Sequence, residues 1–238
     1  MTVRRVLLPG LTLPVDDYLA FVAALPGETV VLDTLATPVT GTTAELRAGL
    51  VLPAAPYELV GHSVGALAAL EWAAEYPHEV SRIVLLDPSD PYGAPVPAAL
   101  GGVAGRVIVA VVGLLARSPG LARRLGRRGR HTVLGGYGVV GDPLPIARID
   151  ALFGTRAGLV TAVTQVVRIP AQVGRVRTLL DAGFTPPRVS VLASEDGGLD
   201  HAPTRRLAAS LGATVAGVPG GHLFPMTHPG STAAALRP

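Results

Sequence analysis

No cysteine occurs in this 238-residue chain. Disulfide bridges, thiolate metal sites and a cysteine nucleophile are excluded, and the redox compartment is left open. Lysine and asparagine are absent too, and all 20 basic residues are arginine. A chain without lysine has no P-loop lysine for a nucleotide phosphate and no amine for a Schiff base. Long apolar runs are also missing. The most apolar stretch, Val107 to Ala116, is about half a membrane span and is closed by Arg106 and Arg117. The apolar run near the N-terminus stops at Pro9, short of a secretory h-region. The expectation is a soluble, cytoplasmic protein with no membrane partner.

Acidic residues are missing from one region only. Between Asp90 and Asp142 there is no acid but there are seven arginines, whereas the rest of the chain is net acidic. The overall charge of +3 is small, and a nucleic-acid binder would spread positive charge over a wider surface with aromatics between. No nucleic-acid partner is expected. The cluster has a local meaning.

Nearly half the residues are apolar, enough for a substantial core without covalent staples. Short β-branched runs alternate with alanine- and leucine-rich segments, the pattern of an α/β fold with a mostly parallel sheet flanked by helices. Strands are expected at Val3–Leu8, Thr29–Asp33, Tyr57–Gly61, Arg82–Leu86, Arg188–Ala193 and Thr214–Val218, and helices near 15–25, 42–51, 64–76, 203–211 and 229–236. Residues 90–185 break the alternation, with helical pieces at 103–116, 120–128 and 158–180. The economical organisation is one domain over 1–238 carrying an inserted helical cap at 90–185.

The strongest chemical signal is Gly61-His62-Ser63-Val64-Gly65, between the apolar strand at Tyr57 and the helix beginning near Ala66. A sharp strand-to-helix turn of this kind presents the serine oxygen at the end of a sheet, and it needs small neighbours. The oxygen then lies near the positive end of the helix, and the Val64 N–H beside it can donate to an oxyanion. The run from Tyr57 to Pro88 resembles the α/β-hydrolase superfamily: elbow strand, following helix and next strand. The resemblance extends to Val3–Leu11 and Val189–His222. It implies a serine hydrolase fold whose nucleophile, acid and histidine follow one another along the chain.

Three further elements of a triad site are expected. His222, in Pro219-Gly220-Gly221-His222 after the last strand, suits a general base and acid for Ser63. For the acid, Asp196 is preferred because Val189–Asp196 reads as a strand delivering a carboxylate, similar to the family's G-x-x-D. Asp200 is the nearest competitor, and Asp87 in Leu86-Asp87-Pro88 is another, since some family members place the acid there. The second oxyanion donor is expected from Leu11, because Pro9 stands where the family commonly has histidine and cannot donate. His228 reads as structural, and His62 as a residue that packs beside the site.

Gly136-Tyr137-Gly138-Val139-Val140-Gly141 satisfies G-x-G-x-x-G, but Asp142-Pro143-Leu144-Pro145 follows where a helix would have to open. It reads as a turn. No cofactor and no metal are expected. The activity expected is cleavage of a carboxylic ester with an apolar portion through an acyl-enzyme on Ser63. One alternative is a thioesterase on carrier- or coenzyme A-linked chains, since Ala66 after the elbow also resembles type II thioesterases. The other is a non-catalytic module binding a small ligand.

Overall fold

Six runs rich in valine, isoleucine and leucine pair into one sheet in the computed structural model, which describes residues 3–93 and 100–236. They are β1 (Arg4–Leu8), β2 (Glu28–Val31), β3 (Tyr57–His62), β4 (Val80–Leu86), β5 (Val189–Ser194) and β6 (Thr214–Val218), each within two residues of the bounds expected from sequence. Their order across the sheet is β2-β1-β3-β4-β5-β6, and every pairing is parallel. Parallel neighbours need long crossovers, which places helices on both faces and buries the strands from both sides.

Period-two alternation divides the core accordingly. Leu8, Leu59, Ile83, Leu85 and Val191 face one layer, where α3 (Val64–Glu75) and α8 (Ala202–Ser210) contribute Leu67, Trp72 and Leu207. Leu7, Val60, Val84, Leu86 and Leu192 face the other, against Phe21 of α1 (Leu19–Ala24), Phe224 of α9 (Phe224–Thr227) and Ala233 of α10 (Pro229–Ala235). The short α2 (Thr43–Ala48) is started by a capping box between Thr42 and Glu45 and adds Leu46 to the first layer.

Between β4 and β5 the chain forms α4 (Gly102–Leu115), α5 (Pro119–Gly136), α6 (Ile146–Phe153) and α7 (Arg156–Asp181). Residues 94–99 of the run expected to be a cap lie outside the described residues. Within this segment two features differ from the sequence reading: α5 continues to Gly136, and α6 is an additional helix. The extension of α5 has a tertiary cause. Arg130, buried in that helix, donates to Asp17 Oδ1 and Oδ2 at 2.7 and 2.6 Å and to Asp142 at 2.9 Å. Those bonds hold a glycine-rich segment helical that propensity alone would release.

The long α7 is tied to the sheet layer by polar side chains. Gln165 is fully buried; its Nε2 donates to Thr34 O at 3.0 Å and its Oε1 accepts from the Thr12 N–H at 3.4 Å. Arg175 pairs with the buried Glu71 of α3. The glycine run at 136–141 follows a helix, not a strand, and leads through a turn to α6. It lacks the strand-to-helix context of a dinucleotide fingerprint.

Candidate active site

β3 ends at His62 and α3 begins at Val64, so one residue, Ser63, makes the whole turn. Its backbone sits at φ 55°, ψ −120°, a conformation that costs on the order of 1–3 kcal/mol for a side chain with Cβ. Close approach explains the flanking glycines. A Cβ on Gly61 would lie 2.4 Å from Gly65 O, and one on Gly65 would lie 2.1 Å from Leu8 O. Among the described residues three non-glycine positions have positive φ: Thr12 (56°), Ser63 (55°) and Asp87 (40°). They stand in the loops after β1, β3 and β4, adjacent strands of the sheet. The strain is concentrated at one end of the molecule.

His222 lies in the loop after β6, and its Nδ1 pairs with Asp87 Oδ2 at 2.7 Å. The acid preferred from sequence is thereby corrected: Asp87, not Asp196, is joined to His222. Asp196 is exposed. Its backbone N–H donates to Gly220 O at 3.3 Å, and it borders a surface cleft with His222 without bonding to the ring. Asp200 is exposed as well and lies beside Arg205. The physical reason is the path of the chain after β5. That strand runs one residue further than expected, to Ser194, and turns so that backbone rather than a carboxylate meets the site. A Cβ on Gly198 would lie 2.4 Å from Asp87 Oδ1.

Ser194 instead supports Asp87, with its N–H donating to Oδ1 at 3.2 Å and its hydroxyl 3.4 Å from Oδ2. Burial pushes the Asp87 carboxyl up, but the bonds from His222 and the Ser194 amide outweigh it and hold the group below the usual carboxylate range. With an ionised carboxylate accepting at Nδ1, the neutral imidazole keeps its lone pair on Nε2. That is the tautomer a base needs. Ser63 Oγ lies 3.4 Å from Ser89 Oγ, and no hydrogen bond joins it to His222 in this geometry. Such bonds often tighten only when a substrate is present.

A second chain of bonds runs behind the turn. His62 is fully buried, and its Nε2 faces the carbonyl oxygen of His222 at 2.9 Å. A carbonyl only accepts, so Nε2 carries the hydrogen, and Nδ1 accepts from the Tyr18 hydroxyl at 2.6 Å. Burial, reinforced by the neighbouring His222, pushes the His62 imidazole down to about 3, which keeps it in this neutral form. Tyr18 Oη in turn accepts the Gly10 N–H at 2.9 Å.

This chain bears on the loop after β1. The Gly10 N–H is taken by Tyr18 and the Thr12 N–H by Gln165, while Pro9 has none. Leu11 is left between them with an N–H that no acceptor takes among the described residues. The Val64 N–H is the first of a helix and has no acceptor within it.

Ser63, His222, Leu11, Leu13, Val133 and Tyr137 line one cavity of about 310 Å³. Val133 also lines a second, more apolar cavity of about 270 Å³ with Val112, Phe153, Leu159 and Val163. Tyr137, which follows α5, stacks on the His222 ring with centroids 4.3 Å apart. Tyr18, Ser89, Tyr137, Gln165 and Ser194 are site or supporting residues that sequence reading did not identify. Tyr137 and Ser194 lie inside motifs it had quoted for their chemistry, whereas Tyr18 and Gln165 lie inside expected helices with nothing local to mark them. His228 pairs with Thr227 Oγ1 at 3.0 Å and borders the same surface cleft as Asp196. Among the described residues no group of three or more histidine, aspartate and glutamate side chains is placed to hold a metal ion.

The chain matches the family model for the alpha/beta hydrolase fold over residues 52–115. No curated protein matches it by sequence. Among solved structures it is similar to Cfl2 from Burkholderia cenocepacia, at 21% identity over 99% of this chain and 87% of that one, with a TM-score of 0.65. A loop variant of the haloalkane dehalogenase DbeA from Bradyrhizobium elkanii gives 16% identity, 99% and 88% coverage and a TM-score of 0.68. The enol-lactonase from Burkholderia xenovorans LB400 gives 17%, 99% and 90%, and 0.67. At such identities the likeness is one of fold.

Proposed function

From a chain with the α/β-hydrolase fold, we propose a serine hydrolase that cleaves a carboxylic ester with an apolar portion. The observation that carries this reading is the Asp87–His222 bond, beside a cavity that His222 shares with a strained Ser63. Ser63 Oγ attacks the ester carbonyl while His222 Nε2 takes its proton. Asp87 holds the imidazole tautomer and stabilises the imidazolium that forms. The oxyanion of the tetrahedral intermediate accepts from the N–H groups of Leu11 and Val64. Collapse expels the alcohol with the proton from His222 and leaves an acyl group on Ser63. A water deprotonated by the same nitrogen then releases the acid and restores the serine. The second cavity, walled by valine, leucine and phenylalanine, suits the apolar part of the ester.

The test is Ser63→Ala. It is expected to lower kcat/KM on an ester by about 10⁴-fold or more with the far-UV spectrum and melting curve unchanged. A fluorophosphonate probe is expected to label Ser63 and no other serine. A folded protein that the probe leaves unlabelled, or an active Ser63→Ala variant, would make the chain a binding module instead. Esters and thioesters of graded chain length, compared side by side, identify the leaving group and the depth of the acyl site.

A further inference from the structure

α4 turns a line of large apolar side chains to solvent. Val103, Val107, Val111 and Leu114 are 68, 54, 49 and 58% exposed, and Ile108 and Leu115 flank them at 37 and 44%. The spacing of four, four and three makes one stripe along the helix. The orientation is held from the opposite side. Gly105 and Gly113 are buried, Arg156 donates to Gly113 O at 3.0 Å, and Val112 packs against Ala116, Ala122 and Leu159.

The helix that follows supplies charge. Of the seven arginines between Asp90 and Asp142, Arg130 is bound to Asp17 and Asp142, and Arg127 to Asp150. Arg106, Arg117, Arg123, Arg124 and Arg128 are exposed and form no ion pair among the described residues. Arg123, Arg124 and Arg128 border an open groove of about 600 Å³ with His131. Along the chain the stripe ends and the basic groove begins on either side of the α4–α5 turn, where Leu114, Leu115 and Arg117 are all exposed.

We propose that α4 and α5 form a docking surface for an anionic lipid bilayer, with α4 lying in the interface and the arginines on the headgroups. Each half of the surface excludes a different competitor. A partner recognised through acidic side chains alone would satisfy the arginines but leave the α4 stripe facing water. A second copy paired symmetrically through this stripe would bring two acid-free, arginine-rich segments together. An anionic bilayer matches both features at once, apolar chains against the stripe and phosphates against the guanidinium groups. The attachment is lateral. At 14 residues α4 is about 20 Å long against a hydrocarbon core of about 30 Å, and no described helix is long and apolar enough to cross. The sequence expectation of no membrane partner rested on the missing span, which has no bearing on a helix lying flat.

The experiment is cosedimentation of the full chain with vesicles of phosphatidylcholine alone and of phosphatidylcholine mixed with phosphatidylglycerol. The chain is expected to pellet with the mixed vesicles at low salt and to be released as salt shortens the Debye length. The triple variant Arg123→Gln, Arg124→Gln, Arg128→Gln is expected to bind them at least about tenfold more weakly. The double variant Val107→Gln, Leu114→Gln is expected to lose binding as well, with an unchanged far-UV spectrum because both positions are exposed. Wild-type chain that stays in solution with both lipids overturns the proposal, as does salt-independent binding. A dimer in sedimentation velocity that the double variant dissolves also overturns it, because a second copy then covers the stripe.

Discussion

α3 and α4 read alike on paper, since each is dominated by alanine, valine and leucine with a single charged residue or two. In the folded chain they part company. Every residue of α3 from Val64 to Ala73 is buried, whereas α4 fully buries only Gly105 and Gly113 and leaves Val103, Val107, Val111 and Leu114 exposed. α3 joins two strands that are neighbours in the sheet, so it is laid on the sheet along its length. α4 lies in the excursion between β4 and β5 and packs chiefly on α7. Apolar composition states that a helix gains by leaving water; its place in the chain decides what it leaves water for.

The same division separates what the sheet holds from what lies beyond it, and substitutions on each side sharpen it. The largest contrast is expected between two aspartates. Asp87→Asn, at the end of a central strand, is expected to lower kcat/KM by on the order of 10⁴-fold through loss of the correct histidine tautomer. Asp196→Asn, on an exposed loop, is expected to stay within about twofold of wild type. Steady-state kinetics on one ester checks both, and the reverse order would return the acid to the loop after β5.

Next in size is packing. Leu67→Ala, under the sheet in α3, is expected to cost about 2–5 kcal/mol in urea unfolding. A smaller effect concerns His62. In the folded chain its imidazole is held down to about 3, against about 6.5 unfolded, so below pH 6.5 the unfolded state takes up a proton that the folded state does not. Stability therefore falls with pH across that window, by about 2–3 kcal/mol between pH 6.5 and 4.5. His62→Gln is expected to lack that loss in paired unfolding curves at the two pH values. The smallest effect is expected outside the sheet, where Leu114→Ala in α4 should change stability by about 0.5 kcal/mol or less. A cost comparable to that of Leu67→Ala would mean that the α4 stripe is covered in the monomer and that the contrast between the helices fails.

The strands were legible because each is a short apolar run bounded by turn residues, a local signal that pairing only shifts by a residue or two. The turn at Ser63 was legible for the same reason: strand, small residues and helix are contiguous, and Gly61 and Gly65 record the crowding directly. The expected choice of Asp196 failed at a point where nothing local could help. Asp87 and Asp196 each follow a strand by a residue or two, and the sequence does not state which strand lies next to β3. Sheet order does, with β4 beside β3 and β5 one place further out.

Periodicity, glycine spacing and missing residue types depend on neighbours within a few positions, so the sequence by itself determined the strands, the Ser63 turn and the exclusion of thiol, lysine and disulfide chemistry. The partner of His222, the burial of His62 and Gln165 and the exposure of α4 depend on contacts between residues tens to more than a hundred positions apart. Only the tertiary structure decided these, because a carboxylate or an apolar side chain has the same local signature whether the fold brings a partner to it or leaves it facing water.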